Sequence, residues 1–154
     1  MALRLHLVEH LLQRPVRADD GSTVSLSGLA GQTVALYFYP KDDTSGCTAQ
    51  ACEFRDMQAD YVAAGVRVIG VSPDPLKSHV KFRDKHGLPF TLLSDPEHEA
   101  AEAYGVWVQK SMYGKTYMGV ERSTFVIGPD GTLQQVLYKV KPKGHAASLL
   151  ELVA

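Results

Sequence analysis

The sequence predicts an α/β fold in which a mixed central sheet lies between flanking helices. Three observations carry that reading. Residues 34–39 are an uninterrupted apolar run of strand length, and 66–71, mostly apolar, read as a second buried strand. Helix-length segments with few breakers follow each of them. A hairpin is marked near the end of the chain by Pro129, Asp130 and Gly131 between two strand-like segments. Continuous apolar runs fit strands buried on both faces. Strand, helix and strand in succession argue for a parallel pair joined by a right-handed crossover, and the hairpin adds antiparallel strands.

The elements follow in order. Residues 1–14 read MALRLHLVEHLLQR, where Leu3, Leu7, Leu11 and Leu12 recur at helical spacing while Leu3, Leu5 and Leu7 alternate as in a strand; both readings stay open. Asp19, Asp20 and Gly21 mark a turn, and 24–26 is a short strand. Gly28 and Gly31 precede the first long strand, which Pro40 stops because proline has no ladder N–H. A helix from Thr48 runs to Gly65, and 66–71 is the second buried strand. Pro73 and Pro75 open a helix near 76–86 that Gly87 and Pro89 close. After Leu92 and Leu93 a helix spans 96–104, and Gly105, Gly114 and Gly119 make 105–120 a loop or irregular hairpin. Strands 123–127 and 133–139 flank the proline turn, and a helix over 145–153 ends the chain.

With 154 residues and no internal repeat or linker-like tract, 1–154 is expected to be a single domain, with 1–14 an atypical leading segment. A net charge of -1 predicts no nucleic-acid partner, and Lys139, Lys141 and Lys143 form too small a basic strip to change that. No apolar run is long enough to span a bilayer, and charges interrupt the leading leucines, so a cytoplasmic location is the expectation. Two cysteines in a reducing compartment are more often catalytic or metal-binding than structural. His6 and His10 are four apart, and His79, His86, His98 and His145 are scattered, with no Cys–His cluster at zinc spacing. Tyr113, Gly114, Lys115 and Thr116 resemble the end of a phosphate loop but lack its upstream glycine.

The chemistry concentrates in the segment from Pro40 to Cys47, followed five residues later by Cys52, the other cysteine. Asp42, Asp43, Thr44 and Ser45 can each cap the helix that follows, which puts Cys47 in its first turn. With Thr44 as N-cap, hydroxyl and sulfur lie beside the same unpaired amides. Those N–H groups and the positive end of the helix macrodipole favour thiolate, the reactive form of a thiol. Five residues of helix separate two Cα atoms by roughly 8 to 9 Å, whereas a disulfide needs less than about 7 Å. Cys47 and Cys52 can bridge only if the turn unwinds, which describes a redox cycle better than a structural staple.

The spacing of Pro40, Thr44 and Cys47 resembles the active-site signature of peroxiredoxins, and FYPKDDTSGCTAQACEFRD is similar to the Q-type, or bacterioferritin-comigratory, subgroup. The similarity continues through GVSPDPLKSHVKFRDKHGLPFTLLSDPEHEAAEAYGVW, MYGKTYMGVERSTFVIGPDG and KVKPKGHA, over roughly residues 20–152. Relatives commonly read T-P-G-C where this chain has Thr44, Ser45, Gly46 and Cys47, and often carry Glu where Gln50 stands. The resemblance implies a thioredoxin-like fold and thiol-dependent reduction of hydrogen peroxide and organic hydroperoxides. On it, Cys47 is the peroxidatic thiolate, Cys52 the resolving thiol, Pro40 a shield for the reactive sulfur, and Thr44 and Arg122 the groups that orient peroxide. It further implies recycling by thioredoxin or a similar dithiol, no metal or organic cofactor, and a monomer. Two rivals are a redox sensor or holdase-type interaction protein with little turnover and a dithiol oxidoreductase; the latter normally shows C-x-x-C, which this chain lacks. Tyr37 and Tyr39 alternate on the first long strand, so core packing is expected of both, with Tyr39 also a candidate for lining the pocket.

Overall fold

A computed structural model describes residues 15–154; the leucine-rich start, with His6 and His10, lies outside the described residues. In chain order, β1 (Val16–Ala18) and β2 (Thr23–Val24) precede a 3-10 turn (Leu26–Leu29) and the long strand β3 (Thr33–Phe38). Helices α1 (Ser45–Asp56) and α2 (Gln58–Ala63) lead to β4 (Val66–Ser72), α3 (Leu76–His86), β5 (Thr91–Ser94) and α4 (Glu99–Ala103). Then come β6 (Trp107–Met112), β7 (Lys115–Val120), β8 (Ser123–Ile127), β9 (Leu133–Leu137) and α5 (His145–Val153).

Seven strands form one mixed sheet in the order β2-β1-β5-β4-β3-β8-β9. β3 is parallel to β4, and β4 to β5, while β8 lies antiparallel to β3. β3 is an inner strand, between β4 and β8, and its alternation divides the core. Val34, Leu36 and Phe38 enter the apolar cluster on one face with Ile69, Tyr104 and Phe125. Ala35, Tyr37 and Tyr39 enter the other, with Cys47, Phe54, Tyr61 and Leu149. Side chains two apart share a face, so a continuously apolar run supplies both cores at once.

The predicted strands 24–26 and 133–139 are observed as β2 and the shorter β9, and three predicted elements differ by more than two residues at an end or in kind. The helix expected to run unbroken to Gly65 starts three residues earlier, at Ser45, and is interrupted at Met57, whose φ of -104° and ψ of 11° leave the helical region. The break re-aims α2 so that the Tyr61 hydroxyl donates to the carbonyl of Ala146, at 2.6 Å. The helix expected from Pro96 begins at Glu99, because the Asp95 carboxylate accepts the amides of Ala100 and Ala101 at 3.1 and 2.9 Å and so caps it there. Residues 105–120 hold a regular antiparallel ribbon of β6 and β7, turned by Tyr113 (φ 52°) and Gly114 (φ 76°). Two successive positive φ angles are what a two-residue hairpin turn needs. The motif similar to a phosphate loop is this turn.

One glycine is required by packing. Gly70 pairs with Tyr37 across β3 and β4, and a Cβ at Gly70 would lie 3.0 Å from the Tyr37 ring carbon and hydroxyl and from Leu92. The Tyr37 ring is itself stacked on Phe54, at 4.8 Å between centroids, and has no room to yield. Gly70→Ala is therefore expected to cost about 1 to 3 kcal/mol through overpacking; urea unfolding that gives an unchanged midpoint would show that the ring relaxes freely.

Candidate active site

β3 delivers the chain through Tyr39 and the half-buried Pro40 to a loop over residues 40–44, after which α1 begins. Thr44 is the N-cap residue, with extended φ and ψ of -83° and 156°, and its carbonyl accepts the Thr48 amide at 2.8 Å. Cys47 is thus the third helical residue, as predicted, and it is only 2% exposed. The Thr44 hydroxyl does not cap the helix as predicted. It donates to the Lys41 carbonyl at 2.9 Å, closing the turn that precedes the helix.

Arg122 directly precedes β8. Because Phe38 at the end of β3 pairs with Ser123 at the start of the antiparallel β8, Arg122 comes to lie where α1 starts. Its Nη2 donates to Cys47 Sγ at 3.3 Å, and its Nη1 donates to Gln50 Oε1 at 2.6 Å. Gln50 is fully buried one turn beyond Cys47, on the same helix face, so it braces the guanidinium against the sulfur. Gly46 lies close beside the pair: a Cβ there would come into ordinary van der Waals contact with Arg122 Nη2 and Pro142 Cγ, each at 3.4 Å. The Arg122 carbonyl in turn accepts the Val140 amide at 2.9 Å. Guanidinium and first-turn amides both complement negative charge on the sulfur.

Cys52 lies further along α1, half-buried, and both cysteines are free thiols. The structure thus unites Cys47 with Arg122, sets Pro40 and Thr44 on the loop leading to them, and leaves Cys52 separated from Cys47 by intact helix. Tyr39 does not line a pocket; it is 1% exposed and its hydroxyl donates to Asp42 Oδ1 at 2.6 Å. Burial, and then the charges of Cys47 and Asp42, push the Tyr37 phenol well above its ordinary pKa, so it stays neutral. Burial and the charge of Arg122 pull Lys110, on the β6–β7 ribbon, below its ordinary range.

Sequence reasoning missed three participants. Gln50 entered only as a departure from the family pattern, although its i+3 spacing from Cys47 marks it as a neighbour on the helix. His145 was one of several scattered histidines; it packs edge-on against Phe54 and its Nε2 pairs with the Thr124 hydroxyl at 2.9 Å. His79 was another, and it meets Asp42 at 2.7 Å, a partnership with a carboxylate that no Cys–His spacing reveals.

Fold and site together define a thioredoxin-like thiol protein in which a buried cysteine at a helix start faces a guanidinium. The family model for the AhpC/TSA family matches residues 11–136. Peroxiredoxin Bcp of Bacillus subtilis is 50% identical over 136 residues, 88% of this chain and 87% of that protein. Peroxiredoxin Bcp of Escherichia coli K12 is 45% identical over 127 residues, 82% of this chain and 81% of that one. Among solved structures, Xanthomonas campestris peroxiredoxin Q superposes with a TM-score of 0.89 at 38% identity, covering 94% of this chain and 92% of the other. A second Xanthomonas campestris structure, of a bacterioferritin comigratory protein studied for alkyl peroxide reduction, gives 0.89 at 37% identity with the same coverage. The chain belongs to the AhpC/TSA family and, within it, to the Q-type peroxiredoxins. Thiol peroxidase chemistry goes with that membership.

His145 supplies a pH test of this geometry. Burial, with the charge of Arg122 adding to it, pulls its pKa from 6.5 down to about 4. The unfolded chain binds this proton at a higher pH than the folded one, so the stability is complete above about pH 6.5 and is lost as pH falls toward about 4. Thermal melts across that window should show a falling midpoint, and His145→Gln should flatten the fall; an equal slope in both proteins would place His145 in solvent.

Proposed function

We propose that this chain is a peroxidase in which Cys47 is oxidised by hydrogen peroxide or an organic hydroperoxide and Cys52 then resolves the product. The observation that carries the reading is the Arg122 guanidinium 3.3 Å from Cys47 Sγ at the first turn of α1, with Gln50 bracing it. The thiolate lone pair attacks the terminal peroxide oxygen, the O–O bond breaks, and the departing oxygen takes a proton and leaves as water or an alcohol. Cys47 becomes a sulfenic acid. Arg122, permanently charged and rich in fixed donors, stabilises charge on both oxygens as their bond breaks. The Thr44 oxygen keeps lone pairs for the peroxide hydroxyl while its proton is held by Lys41, and Pro40 shields the sulfur from bulk water.

The start of α1 then unwinds. The Cys52 thiol condenses with the sulfenic acid, releasing water and forming an intramolecular disulfide. An external dithiol such as thioredoxin reduces it by exchange, so that the pair of electrons lost to peroxide is restored. The alkyl peroxide reduction for which a Xanthomonas campestris relative was studied supports organic hydroperoxides as substrates. We read the protein as a cytoplasmic monomer; no helix among the described residues is long and apolar enough to cross a membrane.

Stopped-flow oxidation of the reduced protein tests the reading directly. Cys47→Ser is expected to abolish peroxide consumption, and retained turnover would remove the proposal. Cys52→Ser should complete one oxidation and then stall until a small thiol is added. Arg122→Met should slow the first oxidation by roughly 100-fold to 1000-fold, the scale on which a lost oxyanion donor acts, with unchanged disulfide formation afterwards. A rate within about threefold of wild type would assign Arg122 to structure alone.

A further inference from the structure

The loop over 40–44 is tied to α3 by a buried carboxylate that peroxide chemistry does not use. Asp42 is 7% exposed and accepts from Tyr39 Oη at Oδ1 (2.6 Å) and from Ser78 Oγ and His79 Nδ1 at Oδ2 (2.8 and 2.7 Å). His79, with no exposed surface, directs Nε2 at the Leu93 carbonyl, 2.8 Å away. Both ring nitrogens face acceptors, so the ring donates from both and carries a positive charge. Burial opposes that charge, but the hydrogen bond and charge of Asp42 outweigh it and hold the pKa above its ordinary value. The Asp42 amide donates to Asp74 Oδ2 at 2.8 Å, which also accepts from Ser72 Oγ at 2.6 Å. Asp43, at a φ of 59°, pairs with Lys85 and His86 near the far end of α3, at 2.7 and 3.1 Å.

Asp42, Asp74 and His79 bring possible ligand atoms within 4.8 Å of one another, the spacing of a metal site. The donor set argues otherwise. Both imidazole nitrogens are committed as donors, and the Asp42 oxygens already accept three protein hydrogen bonds. The cluster is closed by hydrogen bonds, and what it joins is mechanically distinct: a loop that leads into the turn that must open, and a helix that need not move.

We propose that Asp42 and His79 are positioning residues that latch the 40–44 loop to α3 and set how readily the first turn of α1 opens for Cys52. The proposal rests on the peroxidase reading for its consequence. When the latch holds, Cys47 stays beside Arg122 and meets peroxide there. When it releases, the sulfenic acid condenses with the Cys52 thiol, forming the S–S bond and releasing water. A tight latch leaves the sulfenic acid exposed for longer to a second peroxide, which oxidises it to sulfinic acid.

Asp42→Asn keeps the shape and removes the charge, and Ser78→Ala removes a single bond from the α3 side. With hydrogen peroxide as oxidant, Asp42→Asn should raise the rate of disulfide formation by about tenfold and lower the sulfinic fraction at high peroxide to match; Ser78→Ala should do so by about threefold. Hydrogen exchange of the reduced proteins supplies a readout independent of turnover. The helix-bonded amides of residues 48–51 should exchange faster by the same factors, with those of α5 unchanged. Unchanged exchange and an unchanged disulfide-to-sulfinic ratio in both variants would overturn the latch. Faster exchange in a protein whose wild type ignores peroxide would uphold the latch as a control on opening and sink the peroxidase reading instead.

Discussion

The contact between Arg122 and Cys47 joins groups 75 residues apart and is the constraint on which the site depends. Neither partner can be placed without the sheet. Cys47 stands at the head of α1 because β3 ends beneath it, and Arg122 stands opposite because β8 is antiparallel to β3 with Ser123 against Phe38. A register slip of one residue would turn the alternate faces of β8 over, carrying Phe125 out of the cluster it shares with Phe38 and Tyr104 and Arg122 away from the sulfur. The apolar pairing of the sheet therefore fixes the polar geometry, and Gln50 completes it from within the helix that holds the thiol.

The head of α1 meets two opposed demands. Wound, it aligns first-turn amides, the thiol and Gln50 with the guanidinium; unwound, it lets two sulfurs meet that intact helix keeps apart. The division of burial along the helix suits both. Thr44 and Ser45 are exposed and Gly46 half-buried, whereas Gln50, Ala51 and Phe54 are sunk in the core. Segments with few buried apolar contacts open at the least cost, so opening can be confined to the start while Phe54 anchors the remainder. Ties from the preceding loop to α3 then become the natural place to adjust that cost.

Much of the fold was readable before any coordinates. β8, α3 and α5 match their predicted spans, β3 shifts by one residue and β4 runs one residue longer, because largely apolar runs and helix-length segments bounded by proline and glycine leave few alternatives. The interrupted helix at Met57 was not readable, since no glycine or proline stands there and the bend is set by where Tyr61 must reach. The ribbon over 107–120 read as irregular because most of its residues are exposed, so no inward-facing alternation marks its strands. β1 is three residues long and exists only by pairing with β2 and β5.

By itself the sequence determined the order of the main buried strands and helices, the thiol at a helix start and the second thiol too far along that helix to bridge to it. Those are short-range facts, governed by backbone propensity, capping and helical rise within about a dozen residues. Tertiary structure alone brought Arg122 against the sulfur, set Gln50 to brace it, and made Asp42 and His79 meet. Each of these depends on how sheet and helices pack, and packing is settled by the burial of apolar faces over the whole chain.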